Sequence, residues 1–349
     1  MALVAKGLGA ARFTLLDVGC SGGIDARWRT FGRHLRALAI DASEAECRRL
    51  RGLEQHPDIE YLAAFVAGSA DSRIDLERGQ ASPLIMRMRD RLSFMRTREI
   101  REARLSQAAI EEKLRHNAWE LTRLADHTRP LAVPDLLAAR AWTDVDYLKI
   151  DIDGSDFEVL QSLDGRFEAL GVLGVQLEVN FVGTDAATEH AFHNTDRFMR
   201  RQGYDLFRLD VRTYSSRALP ARYVWPTPAE TVSGRPWQGE AYYARDVGTA
   251  LDAGKTAKLA AVFSAWNVPD VAAELLHANR TLLAPLFDVD IGLDLLAAQI
   301  QPDGARKLDY RAYMKAFEAD DPSFYRREGN IGLGERLQAA WRAFRRPRP

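Results

Sequence analysis

Phe13-Thr14-Leu15-Leu16-Asp17-Val18-Gly19-Cys20-Ser21-Gly22-Gly23 is a short apolar run that ends in an acid and then a group of small residues. An apolar run of this length bounded by glycines reads as a buried strand that stops at a tight turn. Glycines at a strand-to-helix turn let the backbone come close to a ligand, and the free N–H groups beyond them can receive it. Working outward, the segment from Trp28 to Leu35 reads as helix. Arg36 to Ile40 reads as a second strand ending in Asp41, and Ile59 to Val66 as a third. Ser43 followed by Glu46 suits a capping box at the next helix start. The order strand, helix, strand, helix, strand predicts an α/β fold with a mostly parallel sheet and helices on its faces.

The turn lacks the G-x-G-x-x-G spacing and has no Walker lysine, so a phosphate cradle is a weak reading. Asp17, just ahead of the glycines, would repel a pyrophosphate and suits an ammonium-bearing ligand. Asp41, ending the second strand, is placed to bond ribose hydroxyls. An adenosine with an amino-acid tail and no phosphate fits both acids, and S-adenosylmethionine is such a ligand. The expected cofactor-binding residues are Asp17, Gly19, Cys20, Ser21, Gly23 and Asp41, with Phe65 at the end of the third strand beside the adenine. A tight turn with incidental acids is the plainer alternative.

A second chemical stretch runs Asp146-Tyr147-Leu148-Lys149-Ile150-Asp151-Ile152-Asp153-Gly154-Ser155-Asp156. Alternation along a strand puts Lys149, Asp151 and Asp153 on one side, and Gly154 turns them out at the carboxyl edge of the sheet. Close acids must pair with a cation or share a proton, and Lys149 or a divalent metal could supply the charge. The D-x-D of metal-dependent glycosyltransferases and the first motif of haloacid-dehalogenase-type phosphatases also use such text. The phosphatase motif normally opens its domain, whereas here three strands precede it.

Together the two stretches resemble the FkbM-type family of S-adenosylmethionine-dependent methyltransferases. The family's D-V-G-A-N-x-G is matched by Asp17, Val18, Gly19 and Gly23, with Cys20 and Ser21 in place of Ala and Asn. Its K-I-D-V-E-G-x-E-x-x-V-L is matched by Lys149, Ile150, Asp151, Gly154, Val159 and Leu160, with Asp153 and Asp156 as shortened acids. Gln176-Leu177-Glu178-Val179 is similar too. The likeness covers about residues 13 to 70 and 130 to 215. It implies a class I methyltransferase, Rossmann-like fold and, for many members, O-methylation of a sugar or other hydroxyl, so a carbohydrate acceptor is expected.

Methyl transfer to a hydroxyl needs in-line alignment and a route for the proton. Asp151, Asp153, His190 and His193 are the candidate catalytic groups. Asp151, Asp153, Glu178 and Asn180 could form an oxygen-rich site for Mg²⁺. A phosphatase or glycosyltransferase using Asp151 and Asp153, or a non-catalytic methyltransferase-like binding module, are the competing functions.

The expected layout is a methyltransferase domain over 1–247 and a mostly helical region over 248–349. Within the first, residues 71–128 read as an Arg-rich helical insertion, a candidate cap over the acceptor. The Ala/Leu-rich helices from Leu259 to Leu296 could support oligomerisation. Residues from Trp225 to Ala241 read as loop, with a strand returning only at Tyr242-Tyr243-Ala244. Of 349 residues, 46% are hydrophobic and 28% charged, which is globular composition. Lys plus Arg (48) nearly cancels Asp plus Glu (49), so no global field would gather nucleic acid. Cys20 and Cys47 are too few for a disulfide framework. With no signal-like or membrane-spanning run, a cytoplasmic protein is expected.

Overall fold

Strand β1 (Phe13–Val18) is buried along its whole length, as a strand covered on both faces must be. A computed structural model describes residues 1–69, 130–152, 155–181, 183, 185–214, 234–301 and 307–319. The expected insertion at 71–128 lies outside the described residues, as do Asp153, Gly154 and Trp225.

β1 is an interior strand of a seven-stranded sheet with β2 (Leu35–Asp41), β3 (Ile59–Ala63), β6 (Tyr147–Ile150), β7 (Gly174–Asn180), β8 (Asp205–Tyr214) and β9 (Arg235–Ala244). The order is β3-β2-β1-β6-β7-β9-β8. Pairs from β3 through β7 are parallel, and β9 is antiparallel to both of its neighbours. This is the mostly parallel, Rossmann-like α/β fold expected from the sequence. The order reverses between β1 and β6, which opens a crevice at their carboxyl ends.

The helix expected between β1 and β2 is a 3₁₀ helix, Trp28–His34, with non-helical backbone at Gly32. Two local expectations need correction. The third strand stops at Ala63, and Val66–Ala67 (β4) leaves to pair with Leu131–Ala132 (β5) in a separate two-stranded sheet. Of the loop expected from Trp225 to Ala241, residues 235–241 are instead the first part of β9, and 225–233 lie outside the described residues. Pro236 and Gly239 disguised the strand. Pro236 lies beyond the last β7 pairing, Asn180 with Gln238, so its missing N–H breaks no bond to β7. Gly239 is required because a Cβ there would meet the Asp210 carbonyl oxygen at 2.4 Å.

Alternation sends the strands' side chains into two cores. On one face, Leu16, Leu38, Leu148, Val175 and Tyr243 pack with helices α3 (Val133–Ala139), α4 (Asp156–Gln161) and α5 (Phe192–Arg201). On the other, Phe13, Leu15, Ala37 and Tyr147 pack with α1 (Ala2–Gly7), the 3₁₀ segment and α2 (Glu44–Leu53). They also meet α6 (Ala253–Ala265), α7 (Pro269–Ala278) and α9 (Val289–Ile300); α8 (Arg280–Leu283) adds Leu283. No helix among the described residues is long and apolar enough to cross a membrane.

A buried ionic knot fixes α6 to the sheet. Asp146, fully buried, accepts from Lys255 Nζ at 2.7 Å and Lys258 Nζ at 2.8 Å. It also accepts from the Thr14 N–H at 2.8 Å, and Asp144 takes a further bond from Lys255 at 2.5 Å. Charges out of water are tolerated only when each is paired and hydrogen-bonded, as here. Removing the shared anion would leave two ammonium groups to be neutralised inside. Asp146→Asn should therefore lower unfolding free energy by about 3–5 kcal/mol in urea titration.

Candidate functional site

At the carboxyl end of the sheet, β1 and β6 approach so closely that residue 19 has no room for a side chain. A Cβ on Gly19 would fall 1.7 Å from the Asp151 carbonyl oxygen, and Gly19 has φ +92°. The approach is held by a backbone bond from Asp151 N–H to Val18 O (2.8 Å), while on the other side of β1 Gly19 and Cys20 N–H bond Ile40 O of β2 (2.8 and 3.0 Å). The turn then closes with Gly23 N–H on Cys20 O at 2.7 Å.

Lys149 lies between the acids of the two strands. Its Nζ is 3.5 Å from Asp17 Oδ1 and 3.3 Å from Asp151 Oδ2, and it donates to the Gly19 carbonyl at 3.1 Å. Burial would lower the lysine's pKa, but the two carboxylates outweigh it and raise it. Asp17 is 4% exposed, and its Oδ1 makes no hydrogen bond; the contact with Lys149 is an ion pair only. Burial pushes the Asp17 pKa up to about 6, against the opposing pull of Lys149.

The other expected cofactor residues surround this turn. Cys20 is buried, and burial raises its thiol pKa, so it serves as packing. Ser21 is exposed, Phe65 is half-buried, and Asp41 ends β2. Asp41 Oδ1 accepts from Ser43 N–H at 2.7 Å, and Ser43 Oγ accepts from Glu46 N–H at 3.2 Å. The Glu46 carboxylate reaches across to Gly22 N–H at 3.1 Å and does not close the expected capping box. Its pKa is held at about 2 by Arg49 and by that N–H. Helix α2 and the glycine turn are thereby tied together.

Beyond Lys149 the same face of the sheet carries carboxylates from three successive positions. Asp151, Glu178 and Glu240 each offer an oxygen, and these oxygens lie within 4.8 Å of one another. Glu178 and Glu240 are register partners on β7 and β9. Glu240 accepts from Gln176 Nε2 at 3.0 Å, and its pKa is raised by burial, with Asp151 adding to the rise. The sequence singled out Asp151 and Glu178 and missed Glu240. Alternation through Gln238, Glu240 and Tyr242 could have placed it, had β9 been recognised as a strand. Gln176 also accepts from Tyr147 Oη at 3.1 Å, and Tyr147 accepts from Trp266 Nε1 at 2.8 Å. A hydrogen-bond chain therefore runs from the end of α6 to Glu240.

His190 sits behind this floor. Its Nε2 donates to the Glu178 carbonyl at 2.8 Å, and its Nδ1 lies 3.5 Å from Asn180 Nδ2 and 3.8 Å from Asp156 Oδ2. Asp156, buried at the start of α4, also accepts from Ile152 N–H at 2.8 Å. The histidine thus joins the end of β7 to the loop carrying Asp151. His193 is exposed on α5.

Residues 102–206 match the family model of the methyltransferase FkbM domain. The match contains β6, β7 and the Lys149 to Leu160 motif. It starts inside the stretch read as an insertion outside the family likeness, so the family's domain reaches further upstream there than expected. The Asp17 turn and Asp41 lie outside the matched residues. No curated protein matches the chain.

Asp17 also makes stability depend on pH. Its folded pKa lies above the ordinary aspartate value of 3.8, so the folded state favours the protonated acid. That preference contributes stability below 3.8 and is lost as pH rises through about 6. Asp17→Asn removes the penalty of the buried charge. The variant should exceed the wild type by on the order of 1–3 kcal/mol above this window. In chemical denaturation across the pH range, the two curves should converge in acid.

Proposed function

We propose that this member of the FkbM-type methyltransferase family moves a methyl group from S-adenosylmethionine to a hydroxyl of a sugar, glycan or glycan precursor. The observation that carries the cofactor assignment is the pairing of Asp17 and Asp41 around a glycine turn at the sheet's reversal point. Asp17, with an unbonded buried oxygen, suits an ammonium donor, and Asp41 suits ribose hydroxyls. When bound, S-adenosylmethionine supplies an electrophilic methyl group. The chain's part is to hold that group and the acceptor in line and to take up the acceptor's proton.

Asp151, Glu178 and Glu240 support the acceptor half of this reading. Carboxylates can accept hydrogen bonds from vicinal hydroxyls. Their converging oxygens are hard ligands of the kind Mg²⁺ takes, so these three residues would hold the cation, with Lys149 balancing the remaining charge. The cation would lower the acceptor hydroxyl's pKa. The matched methyltransferase domain favours methyl transfer over the phosphatase and glycosyltransferase readings of Asp151 and Asp153.

Calorimetric titration with S-adenosylhomocysteine tests the cofactor half. Binding is expected for the wild type, and Asp41→Ala should weaken it by about one to two decades, the worth of one charged hydrogen bond. No binding to the wild type would remove the assignment. The metal half is read separately by the electron paramagnetic resonance of Mn²⁺. The signal of free Mn²⁺ should fall on adding wild type and recover with Glu240→Gln, with S-adenosylhomocysteine affinity retained.

A further inference from the structure

The segments that enter β1, β2 and β3 meet at the amino edge of the sheet, opposite the crevice described above, and line an open surface pocket of about 580 Å³. Its walls are cross-tied. Arg12 Nη1 donates to the Arg33 carbonyl and to Asp58 Oδ2, the latter at 2.7 Å. His56 Nε2 donates to the Gly32 carbonyl at 2.8 Å, and its Nδ1 accepts from Asp58 N–H at 3.1 Å. His34 Nδ1 donates to the Ala11 carbonyl at 3.1 Å, and its Nε2 accepts from Arg33 Nε at 3.3 Å. Each ring therefore uses one nitrogen as donor and the other as acceptor in this arrangement.

The charge count around the pocket follows. Arg12 is balanced by Asp58, whereas Arg33 forms no ion pair among the described residues. Among the described residues its guanidinium is held through Nε alone, which leaves the terminal nitrogens as a planar fork. One unbalanced positive charge presented as a fork matches one carboxylate, which accepts two parallel bonds. Ala10, Gly9 and Pro57 supply apolar lining beside it.

We propose that this pocket binds a small organic monocarboxylate, with its carboxylate on Arg33 and its apolar body against Ala10 and Pro57. The site is separate from the methyl-transfer crevice and does not depend on the reading given to that crevice. The test is calorimetric titration of the full chain with hexanoate, hexanol and inorganic phosphate. Hexanoate should bind with one-to-one stoichiometry and hexanol should not. Arg33→Gln should weaken hexanoate at least about tenfold, the loss expected for a charged hydrogen bond, while the melting temperature stays unchanged. Ala10→Trp, which fills the pocket without touching the cation, should abolish binding as well. Absence of hexanoate binding, or equal affinity in the wild type and either variant, would overturn the proposal. Phosphate binding more tightly than hexanoate would overturn the assignment of a monocarboxylate.

Discussion

The carboxyl ends of β1 and β6 are pressed together until the Asp151 carbonyl occupies the place of a side chain on residue 19. Only glycine permits this, and much of the crevice follows from it. With the two backbones in contact, Lys149 is close enough to serve Asp17 on one strand and Asp151 on the next. A single ammonium thus sits between the turn proposed for the cofactor and the carboxylates proposed for the acceptor. Were the strands an ångström or two further apart, Lys149 could satisfy one acid but not both, and Asp17 would be a buried anion without a cation.

The second constraint is how the sheet's two faces are covered. Between β1 and β2 there is only a 3₁₀ segment, which brings Trp28 and Phe31 onto Phe13 but cannot span the strands beyond. Helix α6 fills the remaining space with Leu259, Val262, Phe263 and Trp266, and the lysines on Asp146 set where it sits. Trp266 then reaches Tyr147, and through Gln176 the position of Glu240 is linked to the seating of this helix. Text that looked unlike the rest of the chain is part of the floor beneath the candidate site.

Local signals carried the strand reading through most of the sheet and failed at β9. The apolar runs at Phe13–Val18, Leu35–Asp41 and Gly174–Asn180 are long enough to be strands and end in turn residues, so each is recognisable without its neighbours. Asp17, Asp41, Asp151 and Glu178 were legible because each sits at or just past such a run. What failed was long-range. Gly239 makes sense only once Asp210 is beside it, and nothing near Gly239 in sequence reveals that. Glu240 was lost with its strand. His190 was readable as a titratable group, but its bonds to the Glu178 carbonyl and toward Asp156 are set by how β7 and α4 pack. Asp146 looked chemical and turned out to hold a helix.

Strand β9 lies between β7 and β8, although it is the last of the seven to be made. On a ribosome, β8 must therefore wait with its inner edge unpaired until Arg235–Ala244 has emerged, because β7 does not pair with it directly. The apolar face of β1, β2 and β6 waits longer still, until α6 follows at Ala253–Ala265. Nascent chains ending before that point carry an open sheet edge and an uncovered core, the two features that make intermediates stick to one another. The chain's final cooperative step belongs to its last third, and shortened products are candidates for chaperone capture rather than for partial function.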